Sequence, residues 1–161
     1  MTKIAKISAA LAAASLVAAC GGGSAPKADK KAAAGERGIF ISATDCAEGG
    51  KMSAETCAKV IDAAIAAHDK TAPTFKTMKQ CTDKQGADRC SLSADGQYRP
   101  RVQAFLVTMG APPSAEALYP PAGKLIGFKS LSKPKVDAKD DTMVVSNAAM
   151  ALAHENSKLG K

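Results

Sequence analysis

From Ser53 to Thr71 apolar residues return at steps of three and four: Cys57, Val60, Ile61, Ala64 and Ile65, with His68 at the edge of the stripe. That period predicts a half-buried helix. Ser53 suits its N-cap, Glu55 sits in the first turn where the helix dipole favours negative charge, and Pro73 requires a stop near Lys70 or Thr71. Two shorter helical turns are predicted around it. One carries Cys46, capped by Thr44 or Asp45 and ended by Gly49-Gly50; the other carries Cys81 and runs from a Thr77 cap to Gly86. Beyond Cys90 the helical period gives out. Ser91 to Pro100 reads as a turn-rich connector. Val102, Phe105, Leu106 and Val107 crowd into Arg101 to Met109 and predict a strand, and Lys124 to Leu131 predicts a second, with Gly127 as a bulge. Pro112-Pro113 and Pro120-Pro121 bracket a predicted turn of helix, and Pro134 to Asp141 reads as a polar linker. Met143-Val144-Val145 has strand character and Asn147 to Lys158 helical character; the segment is assigned to a C-terminal helix ending at Gly160. The pattern predicts an α+β fold: a small disulfide-stapled helical half, then a short β-hairpin-like half and a C-terminal helix.

The N-terminal stretch follows a different pattern. Lys3 and Lys6 precede an apolar run from Ile7 to Val17, and Val17-Ala18-Ala19 leads directly into Cys20. A basic segment, a short apolar segment and small residues ending on cysteine form a bacterial lipoprotein signal. The apolar run is shorter than the roughly 20 residues needed to span a bilayer. Residues 1–19 are therefore expected to be a signal peptide, with Cys20 as the lipidated residue carrying palmitate-type acyl chains. Gly21 after the cysteine, rather than aspartate, points to the outer membrane, with the domain on its periplasmic face. Gly21 to Gly38 has no hydrophobic period and no large apolar side chain. It cannot bury enough surface to offset its ordering entropy, so 20–38 reads as a lipidated tether. All the aromatic residues follow: Phe40, Phe75, Tyr98, Phe105, Tyr119 and Phe128. The expected layout is one globular domain over 39–161, helical and cysteine-containing over 39–90 and mixed strand and helix over 91–161.

With Cys20 assigned to lipid, Cys46, Cys57, Cys81 and Cys90 remain. An even set in an exported chain predicts disulfides. A weak internal repeat bears on the pairing: in each half a capped turn carries one cysteine, glycine follows, and a second cysteine comes after. Local closure, Cys46–Cys57 and Cys81–Cys90, fits that repeat. The alternative is a nested hairpin, Cys46–Cys90 with Cys57–Cys81. No cysteine pair has the short spacing of a zinc site, and there is no C-x-x-C redox motif, so no metal is expected. All four cysteines precede Ser91, so the helical half is expected to depend on the bridges more than the strand-forming half does.

The formal charge is +7 at pH 7. Lys124, Lys129, Lys133, Lys135 and Lys139 form a spaced basic run that reads as a solvated face, with lipid headgroups as the alternative contact. Phe128 is the one aromatic among these lysines, and nucleic acid is not expected as a partner. No G-x-S-x-G elbow, H-E-x-x-H, P-loop or dinucleotide fingerprint occurs. His68 reads as a packed or rim residue, His154 as solvated, and Asp140-Asp141 as a linker or cap. No catalytic residues and no cofactor are expected. The expected role is non-enzymatic, structural or interactive, in the cell envelope. The membrane, through the N-terminal lipid, and an envelope protein are the expected partners. The alternatives are a small-molecule or ion-binding module and a cell-wall hydrolase.

The stretch from Asp45 to Cys90 resembles the YgiB-like bacterial lipoproteins, a family with a domain of unknown function. The likeness lies in Asp45-Cys46, in Ser53-Ala54-Glu55-x-Cys57 opening a helix, in Thr71-Ala72-Pro73, and in Cys81 followed by glycine and Cys90. It implies an exported, disulfide-bonded lipoprotein and no particular reaction. The chain lacks the long Gln/Met/Gly-rich insert after Cys90 and the Arg/Gly-rich tail of the enterobacterial members.

Overall fold

The computed structural model describes residues 36–49 and 51–159. The leader, Cys20 and most of the stretch read as a tether lie outside them. Its first element is a strand, β1 (Arg37–Phe40), followed by α1 (Ala43–Glu48), α2 (Ala54–Thr71) and α3 (Met78–Gln85). Then come β2 (Cys90–Leu92), β3 (Tyr98–Pro100), β4 (Ala104–Thr108), β5 (Ser114–Leu118), β6 (Gly127–Phe128), β7 (Val136–Asp137), β8 (Met143–Val145) and α4 (Asn147–Leu159). The fold is α+β, with both disulfides in the helical half and a helix at the C-terminal end.

The framework is a four-stranded sheet in the order β5-β4-β1-β8. β4 pairs antiparallel with β1 and β5, while β8 lies parallel to β1. Alternate side chains leave each strand on opposite faces, and both faces are covered. Ile39, Ala104, Leu106 and Leu118 pack with Phe128, Val136, Ala149 and Ala153 beneath α4 and the β6–β7 ribbon. Phe40, Phe105 and Val107 pack on the other side with Cys46, Cys57, Val60, Ile61 and Ala64 of α1 and α2. This explains why β4 reads as an unbroken apolar run instead of an alternating one.

Local signals place the helix ends. Ser53 caps α2 by accepting from the Thr56 amide, and Thr77 caps α3 by accepting from the Gln80 amide. Gly86 closes α3 at φ 103°, a left-handed conformation that a Cβ would strain. Cys46 bonds to Cys57 and Cys81 to Cys90, the local of the two connectivities.

Several elements differ from the sequence reading. Strand β1 begins at Arg37, inside the stretch read as tether through Gly38. α1 is capped by Ser42 rather than Thr44 or Asp45. Ile65 lies outside the buried stripe of α2 at 42% exposure. Ser91 to Pro100 is not a plain connector but holds a hairpin, β2 with β3. The proline-bracketed segment expected as helix is β5, because five of its residues find partners on β4. Within Lys124 to Leu131 only Gly127 and Phe128 form a named strand, and their partner lies in the expected linker. Gly127 marks a close approach instead of a bulge: a Cβ there would collide with the Val136 carbonyl. The last segment holds both β8 and α4, so its strand and helix characters are realised in succession.

Candidate functional site

α2 rests over the edge strand β5, and the residues where they meet are small. Ala64 and Ala67 on the helix face Ala115 and Ala117 on the strand around a cavity of about 200 Å³. His68 and Thr71 continue the wall along α2; Glu116, Tyr119, Leu131 and Ser132 complete it. Leu131, 53% exposed, stands at the rim.

Two polar pairs meet around this apolar floor. His68 and Tyr119 are both buried, and His68 Nδ1 lies 2.8 Å from the Tyr119 hydroxyl. A buried tyrosine needs a partner for its hydroxyl, and the histidine on the stripe edge of α2 supplies it. Their ring centroids are 5.6 Å apart. Burial lowers the His68 pKa, with Asp69 opposing the shift and Arg99 adding to it. Burial, helped by the Glu116 charge, pushes the Tyr119 hydroxyl up to about 12. A neutral imidazole and a neutral phenol thus share one hydrogen bond at neutral pH. The Ser132 hydroxyl donates to Glu116 Oε1 at 2.6 Å.

A second, more open groove of about 420 Å³ runs beside β8, lined among others by Phe40, Asp45, Glu48, Val144 and Ser146. The Asp45 carboxylate is engaged there: Oδ2 accepts from the Ser146 hydroxyl at 2.6 Å and the Ile41 amide at 2.8 Å. It joins the start of α1 to the start of α4, whose Ala149 amide donates to Ser146 Oγ. This groove is a structural joint between the two helical layers.

Other residues prominent in the sequence fall elsewhere. His154 is exposed on α4. Asp140 accepts from the Thr142 hydroxyl and amide, which hold its carboxyl below the usual range. In the basic run Lys124, Lys133, Lys135 and Lys139 are exposed, whereas Lys129 is half-buried with Nζ 3.1 Å from Gln85 Oε1. Burial, and then the neighbouring Arg89 charge, lower its pKa. Among the described residues no three His, Cys, Asp or Glu side chains come together to hold a metal ion. No described helix is long and apolar enough to cross a membrane. Nothing in the sequence pattern marks Tyr119 or Glu116 strongly. The one signal for the pair is a tyrosine fixed before Pro120-Pro121, together with a histidine on a helix stripe.

A family model described as protein of unknown function, DUF1190, matches residues 34–120. The chain belongs to this family. The match takes in β1 to β5, all four paired cysteines and the His68, Glu116 and Tyr119 part of the pocket. It ends before Leu131 and Ser132 and before the β6–β7 ribbon, β8 and α4, so the DUF1190 match covers one face of the central sheet more fully than the other. No curated protein and no solved structure matches the chain.

Proposed function

We propose that this DUF1190 protein is a lipid-anchored envelope protein with a non-enzymatic, interactive role, and that the α2–β5 pocket is where it recognises its partner. The observation that carries the reading is the state of the polar groups in the pocket. His68 is engaged by Tyr119 and Ser132 by Glu116, around a floor of four alanines. A hydrolase needs a nucleophile held against a base, whereas the hydroxyl that is hydrogen-bonded to the imidazole is a phenol that stays protonated. An apolar cavity with a few fixed polar groups suits recognition. The two disulfides favour an oxidising compartment, in keeping with the lipoprotein signal ending at Cys20.

The test is site-specific photo-crosslinking in intact cells from a probe placed at Leu131. A discrete adduct is expected, and it should disappear when Ala67→Leu fills the floor. An adduct unchanged by Ala67→Leu would place recognition elsewhere.

A further inference from the structure

The outer edge of β5 stops short of full pairing where the α2–β5 pocket lies. Tyr119 turns both its amide and its carbonyl away from β4, exchanging bonds of 2.8 and 2.9 Å with Lys129. The Leu118 carbonyl faces β4 and accepts from the Gln103 amide. Backbone direction alternates along a strand, so Ala117 and Ala115 also turn their N–H and C=O to the outer edge. No described residue bonds these groups, although Ala117 is 7% exposed. Buried backbone groups without a partner are rare in folded proteins. Continued in register, the pairing begun at Lys129 would set Leu131 opposite Ala117. The chain turns instead: the Ser130 amide donates to the Lys133 carbonyl at 2.8 Å, and Ser130 Oγ accepts from the Lys133 amide at 3.0 Å. The cavity lies in the gap, with Ala115 and Ala117 on one side and Leu131 and Ser132 on the other.

One residue of an added strand fills such a gap. Its N–H and C=O meet those of Ala117, and its side chain projects on the same face as the Ala117 methyl. That face is the α2 side, because Ala117 stands opposite Phe105 of the core beneath α2. There Ala64 and Ala67 leave room that larger residues would close. We infer that the pocket binds an extended segment of a partner protein, which pairs with Ala117 and sets one apolar side chain against Ala64 and Ala67. The inference rests on the proposed reading of the pocket as a recognition site. A second copy pairing antiparallel along the same edge does not fit. Ala115 opposite Ala117 sets Glu116 against Glu116, and Ala115 opposite Ala115 sets Ala117 against Pro113, which has no amide. Ala117 opposite Ala117 sets Ala115 against Tyr119, already held by Lys129. The chain's own residues 21–35, which join the fold at Glu36, hold no Val, Leu, Ile, Met or aromatic side chain to fill the slot.

The experiment follows the Ala117 amide and the alanine methyl resonances of the full chain, disulfides intact and in detergent micelles. The probes are N-acetyl-valine methylamide, its ester analogue in which oxygen replaces the valine N–H, and N-acetyl-glycine methylamide. Blocked valine should shift Ala64, Ala67 and Ala117 saturably. The ester, which leaves the Ala117 carbonyl unpaired, and blocked glycine, which leaves the slot empty, should each bind about tenfold more weakly. Ala117→Pro removes an N–H that faces away from β4, so the ladder keeps its bonds, and it should weaken blocked valine about tenfold. Ala67→Leu should abolish the shifts while leaving the spectrum folded. The ester binding as tightly as the amide would overturn the strand pairing and leave the pocket an apolar recognition site. Blocked glycine matching blocked valine would overturn the assignment of an apolar side chain. A photo-adduct from Leu131 that maps to residues 20–35 of the same chain, or to β5 of a second copy, would overturn the partner as occupant. No shift with any probe would overturn both the inference and the pocket's proposed role.

Discussion

Removing the Cys81–Cys90 bridge should release α3 and little else. Cys81 is the one buried residue of α3, and the helix rests mainly on the β2–β3 hairpin. Its other supports are slight: the Thr77 cap, an exposed Lys79–Asp83 pair, and the Lys129 bond to Gln85. An eight-residue helix is marginal in water without tertiary support. The bridge spans a sequence separation of 9, for which loop-closure entropy gives about 3 kcal/mol. If that constraint acts on local opening of α3, the opening equilibrium should rise by about a hundredfold. Cys81→Ala with Cys90→Ala, compared with the parent by hydrogen exchange on the full chain, provides the measurement. Amides of 78–86 should lose about two decades of protection while those of β4 keep theirs. The Cys46–Cys57 pair is the contrast. Both cysteines are buried beside Phe40, Val60 and Phe105, so its loss should lower stability across α1, α2 and β4 together. Unchanged exchange in α3, or equal acceleration in β4, would refute the division into a stapled peripheral helix and a shared core. Within the helical half, α2 is held by the sheet as well as by its bridge.

Three further outcomes are expected. Cys20→Ser should move the protein from the membrane fraction to the soluble fraction and abolish acyl labelling; full membrane retention would remove the anchor. His68 has a folded pKa below its unfolded value, so the unfolded chain takes up this proton first as pH falls. Its contribution is present above about pH 6.5 and is lost below it. Urea midpoints measured at pH 7.5 and pH 5.5 should therefore fall more for the parent than for His68→Gln, and an equal fall would show that His68 is not the group responsible. Gly127→Ala should cost about 1–3 kcal/mol in chemical denaturation by forcing β6 from the Val136 carbonyl, and a neutral effect would mean the ribbon yields freely.

Interactions between residues close in sequence are legible in the chain itself. The caps at Ser53 and Thr77, the stop before Pro73 and the glycine at the end of α3 each depend on a side chain and amides a few residues away. The stripe of Cys57, Val60, Ile61 and Ala64 is likewise a property of one helix, and the apolar run of β4 announces a strand whatever its partners. The local cysteine pairing fits short loops closed across a glycine, and the structure selects it over the nested alternative. Only tertiary structure decided the rest. β1 is a four-residue strand in RGIF beside a polar stretch; it exists because β4 and β8, far along the chain, supply its hydrogen bonds on both sides. β5 reads SAEAL, a composition with good helix propensity between proline pairs, and pairing with β4 overrides that propensity. The pocket is the clearest case. His68 and Tyr119 stand 51 positions apart and Ser132 and Glu116 sixteen apart, and no pattern along the chain states that α2 crosses the edge of β5. Spacing reports neighbours on one element; which elements become neighbours is settled by how the two faces of the sheet are covered.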